Sequence, residues 1–185
     1  MGKRLFVSVD LDGMAAEIEA VQERFADAAG LRLTDPEQAH VTLKFLGDTD
    51  PDRLPHLADE LAAAVDDAAV GPFDLQVAGL GVFPSLDYIS VVWVGADEGA
   101  GELTRLHEAI EDRTVAMGFD AEDHEFTPHA TIGRMDHAGG KELVQEAVRE
   151  GAPRVGELRV DEVRLKESVL GPDGPTYATV ERFQL

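Results

Sequence analysis

Apolar and polar positions alternate between residues 4 and 9, so Leu5, Val7 and Val9 share one face of a strand and Phe6 and Ser8 the other. The period then lengthens. Met14, Ile18, Val21 and Phe25 recur at helical spacing, which predicts a helix capped within Asp10–Asp12 and running to Gly30. Alternation returns over 39–46 as a second strand, which Gly47 is expected to end. Asp50 and Pro51 then read as the N-cap and first residue of a helix, with Leu54, Leu57 and Leu61 as its apolar stripe as far as Val70–Gly71. A strand over 73–78, a turn region through Gly79, Gly81 and Pro84, and a strongly apolar strand over 88–94 follow. A helix over 98–117 carries Leu103, Leu106 and Ile110. A loop at 118–127 leads to a short strand at 128–134, and Gly139–Gly140 precede a helix at 141–150. Strands near 155–168 and 176–183 flank a turn at Gly171–Gly174.

Residues 4–78 thus read strand, helix, strand, helix, strand, and residues 88–168 repeat that order, with one closing strand at 176–183. No linker separates the halves. The expectation is one compact domain of two pseudo-equivalent lobes facing each other.

Composition narrows the function classes. Apolar residues make up 44% of the 185, too many and too periodic for a disordered acidic chain. The 37 acidic against 16 basic residues give a net charge of -21, and only four of the basic residues are lysines. Such a surface excludes a broad basic face for a polyanion and disfavours an anionic membrane. With no cysteine there is neither a disulfide framework nor a thiolate site. No segment reaches 18 apolar residues, and the N-terminus runs directly into strand sequence, so a soluble, cytoplasmic protein without a membrane partner is expected. The acids are spread along the chain, which points to a solvated, salt-adapted surface.

One short motif occurs twice at equivalent places. His40-Val41-Thr42-Leu43 lies in the second strand and His129-Ala130-Thr131-Ile132 in its counterpart. On a strand each His and Thr point the same way, so each motif offers an imidazole and a hydroxyl side by side. Two imidazoles and two hydroxyls converging on one cleft suit phosphoryl transfer without a metal. One histidine takes a proton from the nucleophile, the other protonates the leaving oxygen, and the hydroxyls bond the non-bridging oxygens. The strand pattern leaves open which histidine is acid and which base. A metal pair lacks a carboxylate within either motif, so it would have to draw on distant groups such as His124 or Asp136. No nucleophile elbow, P-loop or dinucleotide fingerprint is present.

These motifs sit among Arg4-Leu5-Phe6-Val7, Lys44-Phe45-Leu46-Gly47, Phe83-Pro84, Trp93-Val94-Gly95, Phe126-Thr127-Pro128, Gly133-Arg134, Leu165, Ser168, Leu170, Gly174 and Tyr177. In this setting the chain resembles, over nearly its whole length, the RNA 2',3'-cyclic phosphodiesterases, long called 2'-5' RNA ligases, of the two-histidine phosphoesterase superfamily. The resemblance implies an α+β, bilobal fold: two pseudo-symmetric lobes of antiparallel-rich sheet with outer helices around a central cleft. It implies metal-independent, cofactor-free hydrolysis of RNA 2',3'-cyclic phosphate ends to 2'-phosphomonoesters, with 2'-5' joining of tRNA halves as the reverse type of chemistry. By the same resemblance His40 is the proton donor, His129 the proton acceptor, and Thr42 and Thr131 hold phosphate oxygens.

Other positions are weighed against plainer roles. Lys44 shares the face of His40 and Thr42 by alternation, which offers a cation at the cleft edge; a solvated strand-end lysine is the alternative. Arg134 has the opposite parity to His129 and reaches the phosphate only if the strand bends after Gly133. Arg4 is a phosphate-side candidate by resemblance, or the partner of a carboxylate. Phe83, in a loop-like stretch, is the aromatic candidate for a base, whereas Phe45 and Trp93 are assigned to the core. Tyr177 and Ser168 border the cleft or close the last hairpin. His56 and His107 read as structural or solvent-facing, and His124 and His137 flank the second motif. Two further readings remain: hydrolysis of small cyclic nucleotides or 2'-5' oligonucleotides at the same site, and a non-catalytic protein that binds RNA ends. A monomer is expected, because like charge opposes self-association. Self-repulsion of this magnitude is relieved by screening, so the melting temperature should rise along a potassium chloride series; a midpoint indifferent to salt contradicts salt adaptation.

Overall fold

The computed structural model describes residues 2–185. Its strands and helices are β1 (Lys3–Asp10), α1 (Ala15–Gln22), β2 (Leu31–Leu33), β3 (His40–Thr49), α2 (Leu54–Ala68), β4 (Phe73–Pro84), β5 (Ile89–Ala96), α3 (Ala100–Ala116), β6 (His129–Met135), α4 (Lys141–Glu150), β7 (Gly156–Val160), β8 (Glu162–Gly171) and β9 (Gly174–Gln184). Asp50 caps as its sequence predicts, accepting from the Asp52 amide, and Pro51 opens a 3₁₀ turn into α2.

Four expectations are corrected. Asp10 and Asp12 do not cap α1, which starts after Met14 with no side-chain cap, because both carboxylates are engaged by Arg164. Gly47 does not end β3; it sits inside the strand at φ +72°. Residues 79–84 are strand, paired with β5, rather than turn. The single strand expected near 155–168 is two strands divided at Asp161: β7 pairs with β4 and β8 with β1. The three residues of β2 are too few to show a period.

Every strand pairing is antiparallel, in the order β7-β4-β5-β6-β3-β1-β8-β9, with β2 added to β6. The spatial halves do not coincide with the segments 4–78 and 88–168. Strand β4 leaves the first segment to pair with β5, and β8 leaves the second to pair with β1. The helices cross over too, since α3 packs on β3 and α1 on β6. Beneath them one face of the sheet is buried, including Leu5, Val7, Val9, Leu43, Val92 and Ile132. Each such side chain contributes roughly 2 kcal/mol by leaving water. The opposite face carries the motifs.

Alternation breaks at matching places in the two motif strands. Opposite β1, Thr42 pairs with Ser8 and Lys44 with Val7, which leaves Leu43 as an extra residue. Opposite β5, Thr131 pairs with Trp93 and Gly133 with Val92, which leaves Ile132 extra. Each is a β-bulge, and each reverses the parity of the residues after it. Lys44 is therefore turned into the helix side at 1% exposure, and Phe45 is turned out at 67%. The expectation that Lys44 shares a face with His40 is overturned by this bulge.

The buried ammonium is satisfied by the Glu111 carboxylate of α3 and the Asp120 carbonyl. Burial pushes the Glu111 carboxyl up, but hydrogen bonds from Lys44 and the Glu122 amide outweigh it and hold Glu111 below its ordinary range. His107 of α3 adds a second tie, its Nδ1 donating to the Leu43 carbonyl at the bulge, 2.7 Å away. Lys44→Met should destabilise the fold by about 3 kcal/mol because it strands Glu111. Adding Glu111→Leu should recover much of that loss in urea unfolding; a double variant no better than the single contradicts a buried ion pair at this position.

Candidate active site

Strands β3 and β6 meet through one residue pair, Val41 opposite Ala130. Antiparallel pairing about it sets His40 across from Thr131 and Thr42 across from His129. The two motifs, 89 residues apart in the chain, thus form a single four-residue cluster on the face away from the helices.

Each imidazole is held in the same way. His40 Nδ1 lies 2.8 Å from the Gln38 carbonyl and His129 Nδ1 lies 2.6 Å from the Thr127 carbonyl. A carbonyl only accepts, so Nδ1 carries the proton in both rings and Nε2 is left to receive or deliver one. Aromatic rings confine both histidines. Phe6 and Tyr177 stand 5.1 and 5.2 Å from His40. Phe83 and Trp93 stand 4.9 and 5.7 Å from His129. The loop before His129 is itself braced, because Phe126 stacks on His107 at 4.2 Å and 6°.

Burial is the largest influence on both rings and pushes both below the ordinary histidine range. Their remaining surroundings differ. Opposite His40 on β1 stands Asp10, whose charge favours an imidazolium there, against Lys166 and a charged His129. Near His129 the charges are those of His124 and Arg134, which disfavour its protonated form.

Behind His40 lies a polar cluster that the sequence reading missed. Asp10 accepts from Ser8, Lys166 and Arg164 at 2.7, 2.7 and 2.9 Å. Burial raises the Asp10 carboxyl, yet these donors together hold it below its usual value. Arg164 continues to Asp12 and Glu162. The available signal was period two: Ser8 and Asp10 on β1, and Arg164 and Lys166 on β8, occupy the polar parity of strands whose other parity is apolar.

The structure sorts the remaining candidates. Arg134 reaches the motif face, because the bulge at Ile132 reverses its parity to stand opposite Val91. Arg4 lies on the same parity as Phe6 and Ser8, exposed and paired across with Asp48 near the far end of β1. Phe83 is strand, not loop, and packs beside Trp93 and His129. Trp93 and Phe45, assigned to the core by sequence, both face the site, since Trp93 lies against His129 and Phe45 lies 6.3 Å from Phe6. Tyr177 borders the site through its contact with His40, and Ser168 pairs across from it. His56, His124 and His137 are exposed, and His107 is structural. Among the described residues no group of three or more His, Cys, Asp or Glu side chains is arranged to hold a metal ion. No helix among them is long and apolar enough to cross a membrane.

Known proteins share this arrangement at the level of fold and sequence. An RNA 2',3'-cyclic phosphodiesterase of Methanothermobacter thermautotrophicus is 36% identical over the whole of both chains. Another from Archaeoglobus fulgidus is 33% identical, covering 98% of this chain and 99% of the relative. The crystal structure of TT0787 of Thermus thermophilus superposes with a TM-score of 0.75 at 27% identity, covering 98% of this chain and 97% of that one. The apo form of E. coli LigT gives 0.80 at 22% identity over 100% and 98% of the two chains, a likeness of fold: a curled antiparallel sheet flanked by helices in a bilobal arrangement. The family profile described as the 2'-5' RNA ligase superfamily matches residues 11–170, a span that contains both His-x-Thr motifs, and the chain belongs to that superfamily.

Proposed function

We propose that the chain hydrolyses RNA 2',3'-cyclic phosphate ends to 2'-phosphomonoesters by acid–base catalysis with two histidines and no metal. The observation that carries this reading is the shared tethering of His40 and His129. Each ring donates Nδ1–H to a carbonyl two residues upstream and keeps Nε2 for the reacting atoms.

The chemistry follows from placing the cyclic phosphate over the Val41–Ala130 pair. His129 Nε2 takes a proton from water as its oxygen attacks phosphorus. The P–O3' bond breaks, and His40 Nε2 delivers a proton to the departing O3'. Thr42 and Thr131 hydroxyls donate to the non-bridging oxygens, whose charge grows as the five-coordinate arrangement forms. The product is a 2'-phosphomonoester with a free 3'-hydroxyl. His129 ends protonated and His40 neutral, and exchange with solvent resets both. The asymmetry of charge supports these roles, because Asp10 favours a protonated His40 whereas His124 and Arg134 favour a neutral His129. With an RNA 5'-hydroxyl in place of water the same forward step forms the P–O5' bond, breaks P–O3' and joins two ends through a 2'-5' linkage, for which the halves of a cleaved tRNA are the fitting substrates; its reverse cleaves that linkage back to the cyclic phosphate.

Arg134 stands on the motif face as a cation for the phosphate, and Arg4 is placed to meet RNA further along β1. Lys44 has no such role, being spent on Glu111. Phe83 shapes the pocket of His129 through its edge-on contact. Electrostatically the protein grips an RNA end rather than an RNA backbone, and it acts as a monomer.

Three outcomes test the reading. Short RNA ending in 2',3'-cyclic phosphate should be converted in excess EDTA, with His40→Ala and His129→Ala inactive yet folded; turnover retained in both variants rules the mechanism out. Thr42→Val or Thr131→Val should lower kcat by about 10- to 1000-fold, the range for loss of one transition-state donor. The bell-shaped pH profile of kcat/KM should peak below about pH 6.5, because burial lowers both histidines in the free enzyme. The same shifts fix the sign for stability. Both rings resist protonation when folded, so stability falls as pH drops through the unfolded value near 6.5 and levels off below the folded values. An optimum above pH 7 contradicts the assignment.

A further inference from the structure

An extra residue in a strand disturbs the regular ladder, and a buried carbonyl released from it needs another donor. At the first bulge the Leu43 carbonyl takes the Nδ1–H of His107 at 2.7 Å. At the second, the Ile132 carbonyl takes an Nε2–H of Gln22 at 3.1 Å, together with the Thr34 amide at 3.1 Å. Gln22 is the last residue of α1 and is 4% exposed, whereas the other buried residues of that helix, Ile18 and Val21, are apolar. A buried amide persists where its polar atoms are used. The Gln22 nitrogen is used twice, on the Ile132 carbonyl and on the Thr34 carbonyl at 2.8 Å.

The two clamps are counterparts in the two halves, and both cross between them. Helix α1 precedes the first motif in the chain but packs against β6; α3 precedes the second but packs against β3. Each donor also holds the segment that leads to its own motif. His107 does so through the stacked ring of Phe126, one residue before the Thr127 carbonyl that receives His129. Gln22 does so through the Thr34 carbonyl, and the Thr34 hydroxyl adds a bond to the Thr131 carbonyl at 3.2 Å. Beyond Thr34, Asp35 caps the 3₁₀ turn Pro36–Gln38 by accepting from the Glu37 amide, and the Gln38 carbonyl at its end receives His40. We propose that Gln22 is a positioning residue for His40 and forms a crossed pair with His107. Each bulge is thereby tied to the carbonyl that orients the histidine of the other motif. The catalytic consequence rests on the two-histidine reading above: acid and base are set against each other rather than each within its own strand, as a transition state engaging both requires.

The test reads the tautomers of both rings directly, by 1H–15N correlation of the histidine nitrogens at about pH 8, where both rings are neutral. In the parent protein His40 and His129 should each be the Nδ1–H form. Gln22→Met keeps the length of the side chain and removes the donor. It should convert His40 to a mixture of Nδ1–H and Nε2–H forms, while His129, on the strand that Gln22 touches, stays as it was. His107→Leu should do the converse. On RNA ending in 2',3'-cyclic phosphate, Gln22→Met should lower kcat by about 10- to 100-fold with KM within about 2-fold. Thr34→Val leaves α1 intact, loosens the same route by one bond and should move His40 in the same direction to a smaller extent; it decides the matter if Gln22→Met does not fold. A Gln22→Met protein in which His129 changes and His40 does not, or in which both change alike, overturns the proposal. So does an unchanged His40 tautomer in the folded variant. The spectra need no substrate, so an unmodified chain that leaves the cyclic phosphate intact overturns the RNA-end reading alone, and the crossed tautomer pattern still decides the positioning.

Discussion

One residue pair joins the two halves of the sheet. Among the described residues Val41 and Ala130 are the only registered contact between β3 and β6, so everything the cleft does depends on how these strands cross there. A longer ladder would run the strands side by side, and the face around the motifs would be a flat sheet surface. A single pair lets them separate at once, with β2 taking the edge of β6 that β3 leaves free. The side chains flanking that pair, two imidazoles and two hydroxyls, then stand around one point. Both core-side residues of the pair are small or medium-sized and buried, at 3% and 1% exposure, which keeps the crossing anchored to the apolar layer beneath.

Around this crossing the molecule uses α3 as a brace between the motifs. His107 and Glu111 lie one helical turn apart and both face β3, where they hold the Leu43 carbonyl and the Lys44 ammonium. Their other contacts run to the loop that precedes the second motif: Phe126 stacks on His107, and the Glu122 amide donates to Glu111. One residue after Phe126 comes the Thr127 carbonyl that fixes His129. A helix contributing no atom to the reacting cluster thereby ties the bulge after the first histidine to the orienting carbonyl of the second. Preorganisation of this kind limits both rings to one tautomer before substrate arrives.

The periodicities that made the strands and helices legible are those of apolar burial, and they located both motif strands, all four helices and the His-Thr pairs. What they could not show is where one residue is added. Lys44 and Arg134 have the opposite parities to those that alternation predicts, for one reason: bulges at Leu43 and Ile132 leave no trace in composition, since both extra residues are aliphatic like their neighbours. The cluster of Ser8, Asp10, Arg164 and Lys166 was hidden differently. Asp10 reads locally as a helix cap, and only a strand from the far end of the chain supplies the cations that claim it. Non-local pairing of that kind, like the exchange of β4 and β8 between the halves, is set by tertiary topology rather than by any local window.

The charge of -21 acquires a different meaning once these cations are placed. Lys166 and Arg164 lie beside His40, yet their donors are divided among Asp10, Asp12 and Glu162, so they stiffen the wall of the site more than they charge it. Lys44 is neutralised inside the core. Among the described residues, the positive charge on the motif face without a carboxylate partner therefore comes down to Arg134, with Arg4 further along β1. On the proposed reading, one guanidinium at the phosphate and a distant second suffice for a single terminal phosphate, and they fall well short of the row of contacts that tracking a polyanion requires. Carboxylates spread over the remaining surface would repel the rest of an RNA at low salt and are screened over about 3 Å at molar salt. The proposed preference for an end over a backbone thus follows from where the cations have been cancelled.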